Sequence, residues 1–177
     1  MSKVKLATCW LDGCSGCHMS FLDIDERLID LADRIDLVYS PLVDNKEFPE
    51  SVDVSIVEGG VASNEDAAKI RKIRRHTKIL VSIGDCAVTG NVPAMRNPYS
   101  LDELYGRAFQ ENVDLQAQRP DQYLPALLDQ VRPLHDFVKV DVFIPGCPPP
   151  ADAICFVISE LLAGRTPDPG ALTRFGL

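Results

Sequence analysis

No stretch of this sequence approaches the roughly 20 uninterrupted apolar residues that a membrane-spanning helix needs. The opening run, Met1-Ser2-Lys3-Val4-Lys5-Leu6-Ala7-Thr8-Cys9-Trp10, has too few apolar residues and meets charge too early for a secretory leader, and no twin-arginine pair precedes it. The expectation is a soluble, cytoplasmic protein. Phosphate-binding signatures are missing as well: there is no P-loop, and no Gly-x-Gly-x-x-Gly follows the first apolar run, so an ordinary nucleotide site is not signalled. Positive charge is in short supply. With 18 Lys and Arg against 26 Asp and Glu, the formal net charge is −8, and nucleic-acid phosphates would repel such a surface. The three histidines, His18, His76 and His135, show no metal-ligand spacing, and no Ser/His/Asp nucleophile arrangement can be picked out. Internal repeats and low-complexity linkers are absent too.

What remains is a chain of 177 residues, 46% apolar and 25% charged, enough for one domain over 1–177 with a short C-terminal tail. Apolar runs alternate between two periods. Val4–Trp10, Asp36–Val43, Val52–Val57, Lys78–Ile83 and Val138–Ile144 read as strands, several rich in β-branched residues as buried strands should be. Helical spacing predicts helices over 18–33, 121–131 and 151–163, the last stopped by Gly164. Ser63 with Asp66, and Ser100 with Glu103, read as capping boxes opening two more. The first of these carries Lys69-Ile70-Arg71-Lys72-Ile73-Arg74-Arg75-His76-Thr77-Lys78, whose cations suit a helix C-terminus. The segment from Gly84 to Pro98 is rich in turn formers and reads as a long irregular loop, which usually marks function. Strands alternating with helices imply an α/β fold, a parallel sheet with helices on both faces.

The six cysteines cannot be read as three disulfides in a reducing compartment. Laid over the strand map, Cys14 and Cys17 follow the first strand, Cys86 the fourth and Cys147 the fifth. In a parallel sheet all strand C-termini share one edge, so four thiols distant in sequence converge there. Four thiolates suit a 4Fe–4S cluster or a structural zinc ion. One Cys-x-x-Cys plus two single cysteines, each beside glycine or proline (Gly84-Asp85-Cys86, Pro145-Gly146-Cys147-Pro148), favours the cluster, since such loops bring backbone amides close to an anion. Cys9, within a strand, and Cys155, within an apolar helix, read as small hydrophobes. Cys14-Ser15-Gly16-Cys17 between strand and helix also fits a thioredoxin-type thiol–disulfide oxidoreductase, and with His18 it matches a c-type haem attachment string. The haem needs an export signal that is not seen; the thiol reading leaves Cys86 and Cys147 without a purpose.

Four segments, Cys14-Ser15-Gly16-Cys17-His18-Met19-Ser20, Val57-Glu58-Gly59-Gly60-Val61, Gly84-Asp85-Cys86-Ala87 and Pro145-Gly146-Cys147-Pro148-Pro149, resemble in order those of nickel–iron hydrogenase small subunits, especially the short ones of soluble, cytoplasmic NAD-reducing enzymes. The resemblance implies a flavodoxin-like fold. It implies that Cys14, Cys17, Cys86 and Cys147 bind the 4Fe–4S cluster nearest a nickel–iron site held by a separate large subunit. Electrons would cross toward a diaphorase module whose partner subunits carry FMN, NAD and further iron–sulfur clusters; no residue here calls for FMN on this chain. Many such small subunits carry further clusters in a C-terminal extension, whereas one thiol, Cys155, follows Cys147 here. The single cluster would then both receive and release electrons. The related subunit of respiratory complex I is similar but has adjacent cysteines where Cys14 and Cys17 stand apart. By the same resemblance Glu58 lies near the cluster, in a supporting or proton-handling role against the plain reading of a solvated strand end. His18 directly follows a ligand, a place from which it can hydrogen-bond a cluster sulfur and tune its potential, against the plain reading of a polar residue at a helix start.

Overall fold

The computed structural model describes residues 3–112, 114, 118–119 and 122–176. Five parallel strands form the main sheet: β1 (Val4–Trp10), β2 (Ile35–Tyr39), β3 (Val52–Glu58), β5 (Thr77–Ile83) and β7 (Val142–Ile144), in the spatial order β2-β1-β3-β5-β7. That order places β1 and β3 side by side where the chain reverses its winding direction, the flavodoxin-like arrangement. A short strand β4 (Val61–Ser63) leaves the sheet after β3 and pairs antiparallel with β6 (Leu127–Arg132).

Side chains alternate across the sheet and feed two separate cores. Leu6, Val54, Ile56, Val81 and Ile83 meet Ile24 and Leu31 and the buried face of α6 (Ala151–Leu162), namely Ala153, Ile154, Val157 and Ile158. On the other face, Cys9, Val57 and Leu80 meet Ala67, Ile70 and Ile73 of α3 (Asn64–His76) and Ala87 of α4 (Asp85–Thr89). The α3 start follows the expected capping box: the Ser63 hydroxyl accepts from the Asp66 N–H, and the Asp66 carboxylate accepts from the Ser63 N–H. Ser100 and Glu103 do the same for α5 (Leu101–Gly106). Among the cations of α3, Arg74 pairs with Asp141 and Arg71 lies over the Phe137 ring at 5.5 Å.

Several expectations from the sequence are corrected here. The helix expected over 18–33 is two helices, α1 (Gly16–Leu22) and α2 (Arg27–Ala32). The chain breaks at Asp25, whose φ of 59° no helix accommodates, and the break lets Ile24 reach the core at 1% exposure. The helix expected over 121–131 is instead β6; Asp121 lies outside the described residues. Leu124, Leu127, Leu128 and Val131 have helical spacing, but Asn97 clamps Val131 through both its N–H (2.7 Å) and its carbonyl (2.9 Å), and β4 supplies a pairing partner. Tertiary hydrogen bonding overrides the local pattern. The last strand begins at Val142 rather than Val138, because the Asp141 carboxylate accepts the Leu80 N–H at the sheet edge while Val138 and Val140 turn to the second core. The second strand spans Ile35–Tyr39 and stops at the turn closed by Val43 N–H to Ser40 O. The stretch 84–98 is not irregular throughout; it holds α4 and a 3-10 turn, Pro93–Arg96. Among the described residues no helix is long and apolar enough to cross a membrane.

Candidate metal centre

Each cysteine loop sits where a strand of the main sheet runs out at its carboxyl edge. β1 leads to the turn carrying Cys14 and, in the first turn of α1, Cys17; β5 leads through Gly84 to Cys86 in the first turn of α4; β7 leads to Gly146 and Cys147. Two glycines make the approach possible. Gly84 has φ 81°, and a Cβ on it would overlap the Cys17 sulfur, so the backbone after β5 passes directly against that thiol. Gly146 has φ 131°, and its Cβ would fall 2.6 Å from the Pro149 Cα, which forces the Cys147 loop to fold tightly on itself. The loops are then joined by backbone: Gly84 N–H donates to Ile144 O at 2.8 Å and Asp85 N–H to Gly146 O at 2.9 Å.

The four thiols form one electrostatic group. Burial above all, then the charges of Glu58 and Cys86, pushes the Cys17 thiol far above the usual range. Cys86 is raised chiefly by burial, against the pull of the Val92 N–H, with Cys147 and Cys14 adding repulsion. Cys14 and Cys147 are exposed, Cys17 and Cys86 half-buried, and the Asn91 amide lies 3.5 Å from the Cys147 sulfur. Cys9 and Cys155 stand apart from this group: Cys9 is buried in the second core and Cys155 packs against the first.

Glu58 is no solvated strand end. It is 2% exposed and His18 4%. One oxygen, Oε2, accepts the His18 backbone N–H at 2.9 Å and lies 3.2 Å from His18 Nδ1. That bond fills a gap, because Ser15 at the start of α1 is left-handed (φ 63°) and gives no side-chain cap. Glu58 thus caps α1 from another strand and fixes Cys17 against β3. Its Oε1 and the His18 Nε2 are buried with no partner, and Trp10 closes over the imidazole edge-on at 5.3 Å. Asp85, Asn91 and Thr173 also belong to this rim, and the sequence did not single them out. Asp85 had a signal, its place in Gly-Asp-Cys; the other two had none.

The donor set fits an iron–sulfur cluster. A cluster takes each thiolate on a different iron and so accepts thiols that stand apart.

Residues 14–161 match the family described as NADH ubiquinone oxidoreductase, 20 Kd subunit. The chain is 41% identical over 98% of its length, and 86% of the relative's, to the NAD-reducing hydrogenase HoxS subunit delta of Cupriavidus necator. It is 39% identical over 93% of its length to a subunit of the vhu F420-non-reducing hydrogenase of Methanocaldococcus jannaschii, of which it spans only 58%. Among solved structures, an NAD+-reducing NiFe hydrogenase in the H2-reduced state superimposes with a TM-score of 0.93 at 40% identity, covering 98% of this chain and 99% of that one. A NiFeSe hydrogenase of Desulfomicrobium baculatum, at 20% identity and TM-score 0.58, shares the fold. This chain, with its four thiols on one sheet edge, therefore belongs to the family of the NADH ubiquinone oxidoreductase 20 Kd subunit, in the group formed by the small subunits of nickel–iron hydrogenases.

Proposed function

We propose that Cys14, Cys17, Cys86 and Cys147 hold one 4Fe–4S cluster, and that the chain is the electron-transfer subunit of an NAD-reducing hydrogenase complex. Its partners are a large subunit carrying the nickel–iron site and a diaphorase module carrying flavin and further iron–sulfur clusters. A cytoplasmic location goes with this reading. The observation that carries it is the meeting of β1, β5 and β7 loops at one rim, with Gly84 stripped of a side chain where it passes Cys17. The cluster, when bound, supplies one-electron redox chemistry.

The rest of the work falls to the chain's own residues. Exposed Met19, Val92 and Met95, at 60%, 60% and 70%, flank the cysteine loops and give a partner an adaptable apolar surface. Glu58 and His18 hold the Cys17 turn without closing the rim. Buried Leu, Ile and Val on both faces exclude water from everything but the edge. The family's other branch, the complex I subunit, shares this frame; the separation of Cys14 from Cys17 by two residues favours the hydrogenase reading over it.

In the assembled complex, Cys86→Ser should abolish electron flow from hydrogen to NAD and remove the cluster, while thiol exchange at Cys14 and Cys17 persists. Hydrogen-dependent NAD reduction at the wild-type rate in that variant would refute the relay.

A further inference from the structure

Asp85 is 2% exposed, yet among the described residues no Lys, Arg or His pairs with it. Its two oxygens are used separately. Oδ1 accepts the Gly146 N–H at 2.7 Å, one residue before Cys147, and Oδ2 accepts the Gly176 N–H at 2.9 Å, near the end of the chain. Its own N–H donates to Gly146 O at 2.9 Å. The C-terminal segment is fixed at a second point nearby: Thr173, 4% exposed, donates its hydroxyl to Pro145 O at 2.5 Å. A Cβ on Gly146 would lie 2.9 Å from that hydroxyl. The tail thus lies along the loop that presents Cys147, and one carboxylate next to Cys86 joins loop and tail.

A carboxylate is the side chain this geometry asks for. Two backbone donors arrive from different directions, and each needs an acceptor. Asparagine has the same shape but would turn an NH2 group toward one of the two N–H groups, leaving a buried donor unsatisfied. Burying an unpaired carboxylate is costly, so hydrogen bonds from Gly146 and Gly176 must support it. Its negative charge sits beside a ligand of the cluster, with no cation paired to it among the described residues, and makes adding an electron there harder.

We propose that Asp85 is a positioning residue for the cluster: it locks the C-terminal segment onto the Cys147 loop, sets that loop against Cys86, and holds the cluster potential low. This rests on the cluster reading above, and the test separates the two. The assembled complex is prepared without oxygen in three forms: wild type, Asp85→Asn, and a truncation after Arg174 that removes the Gly176 donor but keeps the carboxylate. Hydrogen exchange is followed in the peptide spanning 144–149, and the potential by a redox titration read by electron paramagnetic resonance.

Exchange at 144–149 should rise roughly tenfold or more in both variants, the expected effect of losing a charge-assisted hydrogen bond. The potential should move positive in Asp85→Asn, a change that a purely structural contact would not make; Asp85→Glu, which keeps the charge, should return it toward the wild-type value. Unchanged exchange in the truncated form overturns the lock, and does so even if Asp85→Asn does not fold. An unchanged potential in a folded, cluster-bearing Asp85→Asn overturns the electrostatic role. Wild-type protein without iron would sink the cluster reading instead, while the exchange arm, which needs no cluster, would still decide the lock.

Discussion

The two edges of the main sheet are built from the same strands and treat polar groups in opposite ways. At the amino edge, Lys78 pairs with Asp53 at 2.7 Å and Arg74 with Asp141 at 2.5 Å, all at least partly in water. At the carboxyl edge, Glu58, His18 and Asp85 are almost wholly buried, and two of the first pair's atoms have no partner. Solvated ion pairs contribute little to stability, about 0–1 kcal/mol each. Buried polar groups cost several times that unless satisfied. The amino edge is therefore ordinary surface, whereas the carboxyl edge accepts a cost of the kind that functional sites carry. Perturbation should accordingly be felt far more at one edge than at the other.

The greatest effect is expected from Gly84→Ala. The added methyl collides with the Cys17 sulfur and the backbone sits at φ 81°, so strain of about 1–3 kcal/mol in the backbone comes on top of a displaced ligand. Iron content should fall to a small fraction of wild type, measured on the anaerobically purified complex. Next comes Glu58→Ala, which strands the buried His18 backbone N–H at a cost of about 1–3 kcal/mol. Glu58→Gln keeps an acceptor and should cost less than half as much in denaturant unfolding. Equal losses in the two variants would mean that the cap on α1 is unimportant.

The amino edge should answer weakly. The hydrogen bond from Lys78, followed by the Lys5 N–H, holds the Asp53 carboxyl below its ordinary value of 3.8. A group whose folded pKa is depressed stabilises the fold above the unfolded value and loses that contribution as pH falls through the folded one. Stability from this pair should thus be complete above about pH 5 and fade in more acid solution. Lys78→Met should flatten that acid limb while changing stability at neutral pH by less than about 1 kcal/mol. A loss at neutral pH as large as that of Glu58→Ala would erase the distinction between the edges.

Much of this was legible in the sequence because parallel strands impose a direction. Once Val4–Trp10, Lys78–Ile83 and the run ending at Ile144 read as parallel strands, the cysteines after them had to share an edge, and no local spacing was needed. Capping boxes were legible for the same kind of reason: Ser63 with Asp66 and Ser100 with Glu103 are closed within four residues. What escaped depends on contacts between distant segments. Leu124 to Val131 carries helical periodicity, and only the clamp from Asn97 and the partner strand β4 turn it into β6. The link from Asp85 to Gly176 spans 91 positions; Gly-Asp-Cys marks the aspartate but says nothing about the tail. The resemblance put Glu58 beside the proposed cluster, whereas its burial and its capping of α1 depend on how tightly α1 packs on β3.

The central claim is that four thiols on the carboxyl edge hold one cluster, and counting metal tests it most directly. The chain purified without oxygen should contain about four iron and four acid-labile sulfide, all lost in Cys14→Ser and Cys147→Ser alike. One zinc per chain, with neither iron nor sulfide, would contradict it.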